Sequence, residues 1–349
     1  MKKLTFVIPH FGKSGPLNQF FYLINEIHQD YKINIICVLP EKENTTINKF
    51  RKFDIEINIA TKLFFINWFN LLKGRSSKDI IFHSFGLVPD ILCYLSVKKE
   101  FWLSVSRNYP YEDYLNKFGV FFGRIAATAH IFVQKRCNYL VTCSESLSKR
   151  YDELKIKNIS IQNGVPEHSY ISSHSSKSIR LIFVGNLIRR KRVDLACKLF
   201  NELNINKSIL DIIGNGNELD KLKKSYTNNI KFHGFSDNVN EFYKKANFLI
   251  NLSESEGLPN SVLEALSYGC PCILSDIPPH RELKKYVGKG IFIIKQDEIY
   301  SQQKLKNLIE FINAITENTR KEIKQDFFKI FGSHKLKENF NNVYNQMLI

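Results

Sequence analysis

FLINLSESEGLPNSVLEALSYGCPCILSD, residues 248–276, decides the fold. FLINLS (248–253) has the length and apolarity of a buried strand, and PCILSD (271–276) is a second of the same kind. Between them PNSVLEALSY places Val262, Leu263 and Leu266 on one helical face. Pro259 suits a first helical turn, and Gly269 followed by Pro271 suits the end of that helix. Two buried strands joined through a helix form a βαβ unit, and such units build parallel sheets.

The same alternation runs outward in both directions. LTFVI (4–8), INIICVL (33–39), DIIFHSF (79–85), FWLSVS (101–106) and YLVTCS (139–144) read as strands, with amphipathic stretches such as LNQFFYLINEIHQ between them. A polar, Ser-rich segment, HSYISSHSSKSI (168–179), reads as a linker. Beyond it the series restarts with RLIFVG (180–185), ILDIIG (209–214), IKFHGF (230–235), FLINLS, PCILSD and IFII (291–294). The stretch from about 302 to 349 is helical and charged. The expected fold is therefore α/β, with two Rossmann-like α/β/α domains at 1–170 and 171–332, and 349 residues suit two domains.

Composition narrows the functional classes. Hydrophobic residues make up 44% and charged residues 24%, as in a soluble globular protein. The formal charge of +16 calls for an anionic partner: nucleic acid, an anionic membrane surface or a phosphorylated small molecule. Seven scattered cysteines give no disulfide framework. Cys270 and Cys272 flank Pro271 inside a strand with no facing Cys or His pair, so the expectation is no metal and reduced, cytoplasmic thiols. Pro9 cuts the first apolar run short, which makes MKKLTFVIPHF a strand rather than a signal peptide. No run of ~20 apolar residues is present to span a bilayer.

Ligands of open parallel sheets bind beyond the carboxyl ends of the strands, and a cleft between two such domains is the default site. SESEG follows FLINLS directly, so Glu256 lies in a strand-end loop and Glu264 in the second turn of the helix. The helix start offers backbone N–H groups around Leu258, Asn260 and Ser261 together with the positive end of the macrodipole, which binds phosphate. Gly257 permits close backbone approach. A carboxylate on each side of a phosphate cradle accepts hydrogen bonds from sugar hydroxyls. This arrangement fits a nucleotide sugar, with the diphosphate on the amides, the hexose toward Glu256 and the ribose toward Glu264. Taken alone, the same acids also suit an ordinary surface helix. RLIFVGNLIRRKRVD adds Gly185 and then Arg189, Arg190, Lys191 and Arg192, of which one or two can neutralise a departing diphosphate. In DIIGNGNELDKL the GNG lacks the third glycine of a dinucleotide fingerprint and reads as a turn into a helix. His233 reads as a strand-end residue and not a catalyst.

These segments resemble glycosyltransferase family 4, of the two-domain GT-B fold and the bacterial surface-polysaccharide type. The resemblance is carried by FVGNLIRRKRVDLA, IIGNGNELDKL, the stretch from IKFHGF to PPHREL, and VTCSESLSKRYDELKIKNISIQNGVP. It covers essentially the whole chain and is strongest over 180–283. Its most specific element is Glu-x7-Glu, met by Glu256 and Glu264. The resemblance implies a retaining transferase that uses a nucleoside diphosphate sugar, by family habit a UDP-sugar, with no metal and no other cofactor. It assigns Glu256 to the donor sugar, Glu264 to the ribose, Lys191 to the phosphates, and Gly234 and Phe235 to the base. It also has the two domains face a central cleft, with the last helix (about 333–349) returning to the first domain.

The chain departs from the family pattern twice. Asn186, not Arg, follows Gly185, which leaves Arg189 or Arg190 to supply the missing charge. SVSRNYPYEDY carries Ser106 and Arg107 where many relatives have a histidine, so Arg107 becomes the candidate catalytic group there, and His83 reads as structural. KSGPLNQF (13–20) resembles the family's glycine-containing loop and brings Gly15 to the donor phosphate or the acceptor.

KLFFINWFNLLKGR (62–75) and FGVFFGRIAATAHIFVQKR (118–136) mix bulky apolar with basic residues, the composition of helices lying in a membrane interface. The expectation is a cytoplasmic enzyme, peripheral on the inner face of the cell membrane and bound to an anionic surface. It suits a polyprenyl-diphosphate-linked acceptor of lipopolysaccharide, O-antigen or capsule type. No nucleic-acid motif is present. The alternatives are a nucleotide-sugar epimerase or hydrolase with the same two domains, and a non-catalytic nucleotide-sugar-binding partner.

Overall fold

A computed structural model of the chain describes residues 2–39, 46–59, 80–171, 178–226 and 228–347. The basic aromatic segment 62–75 lies outside the described residues, as do residues 172–177 of the Ser-rich linker. The chain divides into two compact units, Met1–Pro166 with Ser333–Ile349, and Glu167–Gly332. The first boundary falls four residues before the expected 170/171.

The N-terminal unit is a seven-stranded, all-parallel sheet: β1 Lys3–Ile8, β2 Lys32–Cys37, β3 Glu56–Ile59, β4 Ile80–Ser84, β5 Trp102–Ser106, β6 Tyr139–Thr142 and β7 Ile159–Ser160, in the order β3-β2-β1-β4-β5-β6-β7. The edge strands β3 and β7 had no counterpart in the apolar runs. Glu56 is exposed and the other residues of both strands are only half-buried, so neither produces a continuous apolar signal. Along β1, Leu4, Phe6 and Ile8 face one core and Val7 the other, the two-residue period of a strand covered on both faces. The first core is closed by the helix Gly15–Ile27, through Leu17, Phe20 and Ile24, and by the last helix, Ser333–Met347, through Leu336, Phe340, Val343 and Tyr344. The second is closed by the helix Leu87–Ser96 and by Val133 of the helix Pro110–Gln134.

The C-terminal unit repeats this plan with six parallel strands: β8 Arg180–Val184, β9 Ile209–Ile213, β10 Ile230–Gly234, β11 Phe248–Asn251, β12 Cys272–Ser275 and β13 Ile291–Ile294, ordered β10-β9-β8-β11-β12-β13. Its core joins Leu181 and Phe183 of β8 and Ile250 of β11 to Leu199 of the helix Val193–Leu203 and Leu308 of the helix Gln302–Ala314. Both sheets are doubly wound Rossmann-like sheets. All seven cysteines are free thiols, and six of them are buried.

Candidate active site

In the C-terminal unit the strand order reverses between β8 and β11, which lie side by side. That reversal opens a crevice at the carboxyl ends of the strands, where doubly wound sheets bind ligands. β8 runs into a loop ending in the single turn Arg189–Lys191, and β11 runs into the SESEG loop. The two loops are tied together: the Glu254 N–H donates to the Arg190 carbonyl at 2.9 Å, and Arg190 Nη1 donates to the Ser255 carbonyl.

The four consecutive cations separate into different roles. Lys191 Nζ lies 2.5 Å from Glu256 Oε1, and Arg190 Nη1 lies 3.4 Å from Oε2. The three side chains are 16%, 13% and 8% exposed for Lys191, Arg190 and Glu256, so their charges interact through little water. Burial pushes the Glu256 carboxyl up. The Lys191 and Arg190 charges and hydrogen bonds from Lys191 and Ser253 outweigh it and hold the pKa down to about 2. Arg192 instead adopts a left-handed backbone (φ 47°), with Nε and Nη2 each 3.1 Å from Asp194. Its Nη1 reaches Glu254 and Gln296 and so braces the loop from behind. Arg189 lines a hollow of about 590 Å³ together with Arg192, Lys198, Glu218 and Lys221. Of the two arginines left open by the sequence, Arg190 is the one beside Glu256. Asn186 is exposed, and its carbonyl accepts the Ile188 N–H.

The helix after SESEG spans Asn260–Ser267, with Pro259 as its N-cap and not inside its first turn; the Val262 and Leu263 N–H groups both donate to the Pro259 carbonyl. Gly257, Leu258 and Pro259 are buried, and Asn260 is half-buried. The helix closes with a Schellman motif: Gly269 has φ 66°, its N–H donates to Leu266 O, and the Cys270 N–H donates to Ala265 O. Glu264 Oε2 accepts a hydrogen bond from the Tyr243 hydroxyl at 2.9 Å. The two glutamates thus hold different partners, one ionic and one neutral. At the end of β10, Gly234 (φ 68°) accepts the Gly214 N–H at 2.7 Å, Phe235 is 52% exposed, and His233 is bonded to Asp211.

Several residues that shape this loop pair were not singled out in the sequence. A Cβ on Gly214 would sit 1.8 Å from the Gly185 carbonyl oxygen, and one on Gly216 would sit 2.3 Å from that of Leu187. The GNG is therefore more than a turn, because its two glycines let the β9 loop lie against the β8 loop. The signal was the pair of glycines directly after a strand, and the missing third glycine directed the reading elsewhere. Beneath SESEG, Asn251 Oδ1 accepts from the Ser253 N–H and hydroxyl, Ser275 Oγ donates to Ser253 O, and His280 Nδ1 donates to Ser275 O at 2.9 Å. That donation fixes the proton on Nδ1. Burial lowers the His280 pKa to about 4, so the ring is neutral.

Gly15 and Arg107 belong to the N-terminal unit. Gly15 opens its first helix, with Ser14 as N-cap accepting the Leu17 N–H. Arg107 follows β5 and donates from Nη1 to Asn163 Oδ1 at 2.7 Å; its Nε is buried and has no hydrogen-bond partner among the described residues. His83 packs between Phe6 and Phe340, with Nδ1 2.7 Å from the Tyr344 hydroxyl. Among the described residues no group of three or more His, Cys, Asp or Glu side chains is arranged to hold a metal ion, and no helix is long and apolar enough to cross a membrane.

Comparison with known proteins agrees with this geometry. Residues 165–326 match the model of the family Glycosyl transferases group 1. The chain is 25% identical over 374 residues to the Escherichia coli O-antigen biosynthesis glycosyltransferase WclY, covering 99% of this chain and 98% of that one. It is 26% identical over 348 residues (93% and 92%) to a Campylobacter jejuni N-acetylgalactosaminyltransferase whose named acceptor is a diphosphoundecaprenol-linked glycan. In fold it superposes on the UDP complex of Anabaena HepE with a TM-score of 0.80 at 11% identity, over 99% of this chain and 100% of that one. The chain has the GT-B fold. It is a glycosyltransferase.

Proposed function

We propose that the chain moves a sugar, with retention, from a UDP-sugar onto a growing surface glycan carried on a polyprenyl diphosphate, as a family 4 enzyme of O-antigen, lipopolysaccharide or capsule synthesis. The observation that carries the reading is the Arg190–Lys191–Glu256 cluster at the strand-order reversal of the C-terminal sheet. The donor diphosphate lies against Lys191, Arg190 and the amides near Gly257 and Leu258. Lys191 has three donors, so it can keep Glu256 and still bind a phosphate oxygen. As the glycosidic bond breaks, charge grows on the diphosphate. The two cations, already fixed by Glu256, stabilise that charge without reorganising. They fill the place of a metal, and the reaction proceeds without one.

Glu256 stays ionised and accepts hydrogen bonds from the donor sugar, which makes it a positioning group and not a nucleophile. Glu264 accepts from the ribose, Gly234 and Phe235 border the base, and Gly185 and Asn186 line the phosphates. In the N-terminal unit Gly15 and Arg107 serve the acceptor, with Arg107 offering a cation to its anionic part. Two relatives named for diphosphoundecaprenol-linked acceptors support the acceptor class, and an acceptor held in the membrane favours a peripheral enzyme on its cytoplasmic face.

The experiment is a panel of UDP-sugars incubated with and without a polyprenyl-diphosphate glycan, in EDTA. The expected result is acceptor-dependent transfer, unaffected by EDTA, giving a product with the anomeric configuration of the donor by NMR. Conversion of the donor without acceptor, an inverted product or loss of rate in EDTA would each refute the corresponding part.

A further inference from the structure

The helix Pro110–Gln134 is built inside out. It bends at Gly119 (φ 76°), and beyond the bend its residues divide into two faces. The face turned to the protein carries Gly123, Ala127, His130, Val133 and Gln134, all buried, and among them only Val133 is a larger apolar residue. That face rests on a polar network: His130 Nε2 lies 2.7 Å from the fully buried Asp90, His130 Nδ1 lies 2.8 Å from the Tyr114 hydroxyl, and Gln134 accepts from the Tyr151 hydroxyl. The outward face carries the large apolar groups. Val120, Phe121, Phe122, Ile125 and Phe132 are 62%, 71%, 68%, 55% and 51% exposed. Phe122, Ile125, Ala129 and Phe132 follow one another at helical spacing, so they form a continuous stripe. Tyr94 of a neighbouring helix, in ring contact with Phe132, extends it. A helix in a water-soluble surface has the opposite arrangement, and an apolar face of this kind marks an interaction site.

Charge selects the occupant. From Gly119 to Arg136 the sequence has no Asp or Glu, whereas Arg124, Lys135 and Arg136 are basic and Lys117 precedes the bend. Arg136 folds over the Phe132 ring and Lys117 over Phe118, which leaves the cations around the apolar ridge. A second copy docked symmetrically on this face would place these cations against their own equivalents. An anionic bilayer matches both components, with aromatic and branched side chains at the acyl boundary and cations among the headgroups.

We propose that the outward face of this helix is a docking surface for an anionic membrane, with Val120, Phe121, Phe122 and Ile125 at the Gly119 bend inserting among the lipids and Arg124, Lys135 and Arg136 binding their headgroups. The proposal deepens the reading of a membrane-borne acceptor, but it is tested without donor or acceptor, so either can fail alone.

The full chain is floated on vesicles of phosphatidylcholine alone and of phosphatidylcholine with 30% phosphatidylglycerol. The expected result is at least tenfold stronger binding to the anionic vesicles, weakened by raising the salt. Phe122→Ser with Ile125→Ser lowers the binding at least tenfold and leaves the thermal midpoint and UDP binding unchanged. A charge variant, Arg124→Glu with Lys135→Glu, removes the preference for anionic vesicles. No binding to anionic vesicles, or serine and charge variants that float like the parent, overturns the proposal. So does a parent that sediments as a dimer which the serine substitutions dissociate, because the face then joins two copies.

Discussion

At the residue scale the account turns on Glu256. Its carboxyl, at about 2, lies below the ordinary value of 4.5, so the interactions that ionise it stabilise the fold fully above pH ~4.5 and fade as pH falls toward 2. His280 and His168 are both lowered from 6.5 to about 4, chiefly by burial. Their neutral forms therefore contribute stability that is complete above pH ~6.5 and is lost as pH falls toward 4. Thermal midpoints measured from pH 7 to 4.5 are expected to drop. His280→Asn, which keeps a donor for the Ser275 carbonyl, should flatten that slope; an unchanged slope would contradict the assignment. Lys191→Met removes the cation proposed to stabilise the leaving diphosphate and should lower kcat/KM by roughly 10²–10³-fold, in a protein that circular dichroism shows still folded. Glu256, Glu264 and the cation run were legible in the sequence because each lies in a local strand–loop–helix pattern. His280, Ser275, Asn251 and Ser253 were not. Their network depends on the pairing of β11 with β12, a contact between residues more than twenty positions apart.

At the scale of elements, the loops after β8 and β9 fit together only because Gly214 has no side chain. Gly214→Ala would drive a methyl group into the Gly185 carbonyl, so the loop after β8 must shift. The expected result is a thermal midpoint several degrees lower, with roughly 1–3 kcal/mol lost, and a weakened affinity for UDP. Gly288→Ala, where an added Cβ meets nothing within 4 Å, is the matched control and should change neither. The helix at 260–267 was readable from Pro259, the apolar triplet and Gly269, with an error of one residue at each end. The Pro110–Gln134 helix shows the limit of periodicity. The sequence showed aromatic and basic residues together but not which face looked outward. The buried side mixes small and polar residues with Val133, and their partner Asp90 comes from the neighbouring helix Leu87–Ser96, far away in sequence.

At the scale of the molecule, the two sets of strands and the parallel α/β class followed from the alternation of short apolar runs with helical lengths. The strand orders did not, because they depend on crossover connections that leave no local pattern, and those orders bring the β8 and β11 loops together. The last helix illustrates a long-range dependence of another kind. It belongs to the N-terminal unit, where Leu336, Phe340, Val343, Tyr344 and Met347 are each at most 7% exposed. Burial of a large apolar side chain is worth roughly 1.5–3 kcal/mol, so five of them contribute an amount comparable to the whole ~5–15 kcal/mol net stability of a typical domain. A chain ending at Gly332 is expected to lose the N-terminal unit's cooperative transition and its resistance to proteolysis. A truncated chain with the parent's melting profile would show that the helix is dispensable.

The most direct test of the central claim is a calorimetric titration of UDP into the parent protein, Lys191→Met and Glu264→Ala. Saturable one-to-one binding by the parent, weakened at least tenfold in each variant whose fold is intact, is the predicted result. UDP binding that is absent from the parent, or equally tight in all three proteins, would contradict the placement of the donor on the β8 and β11 loops.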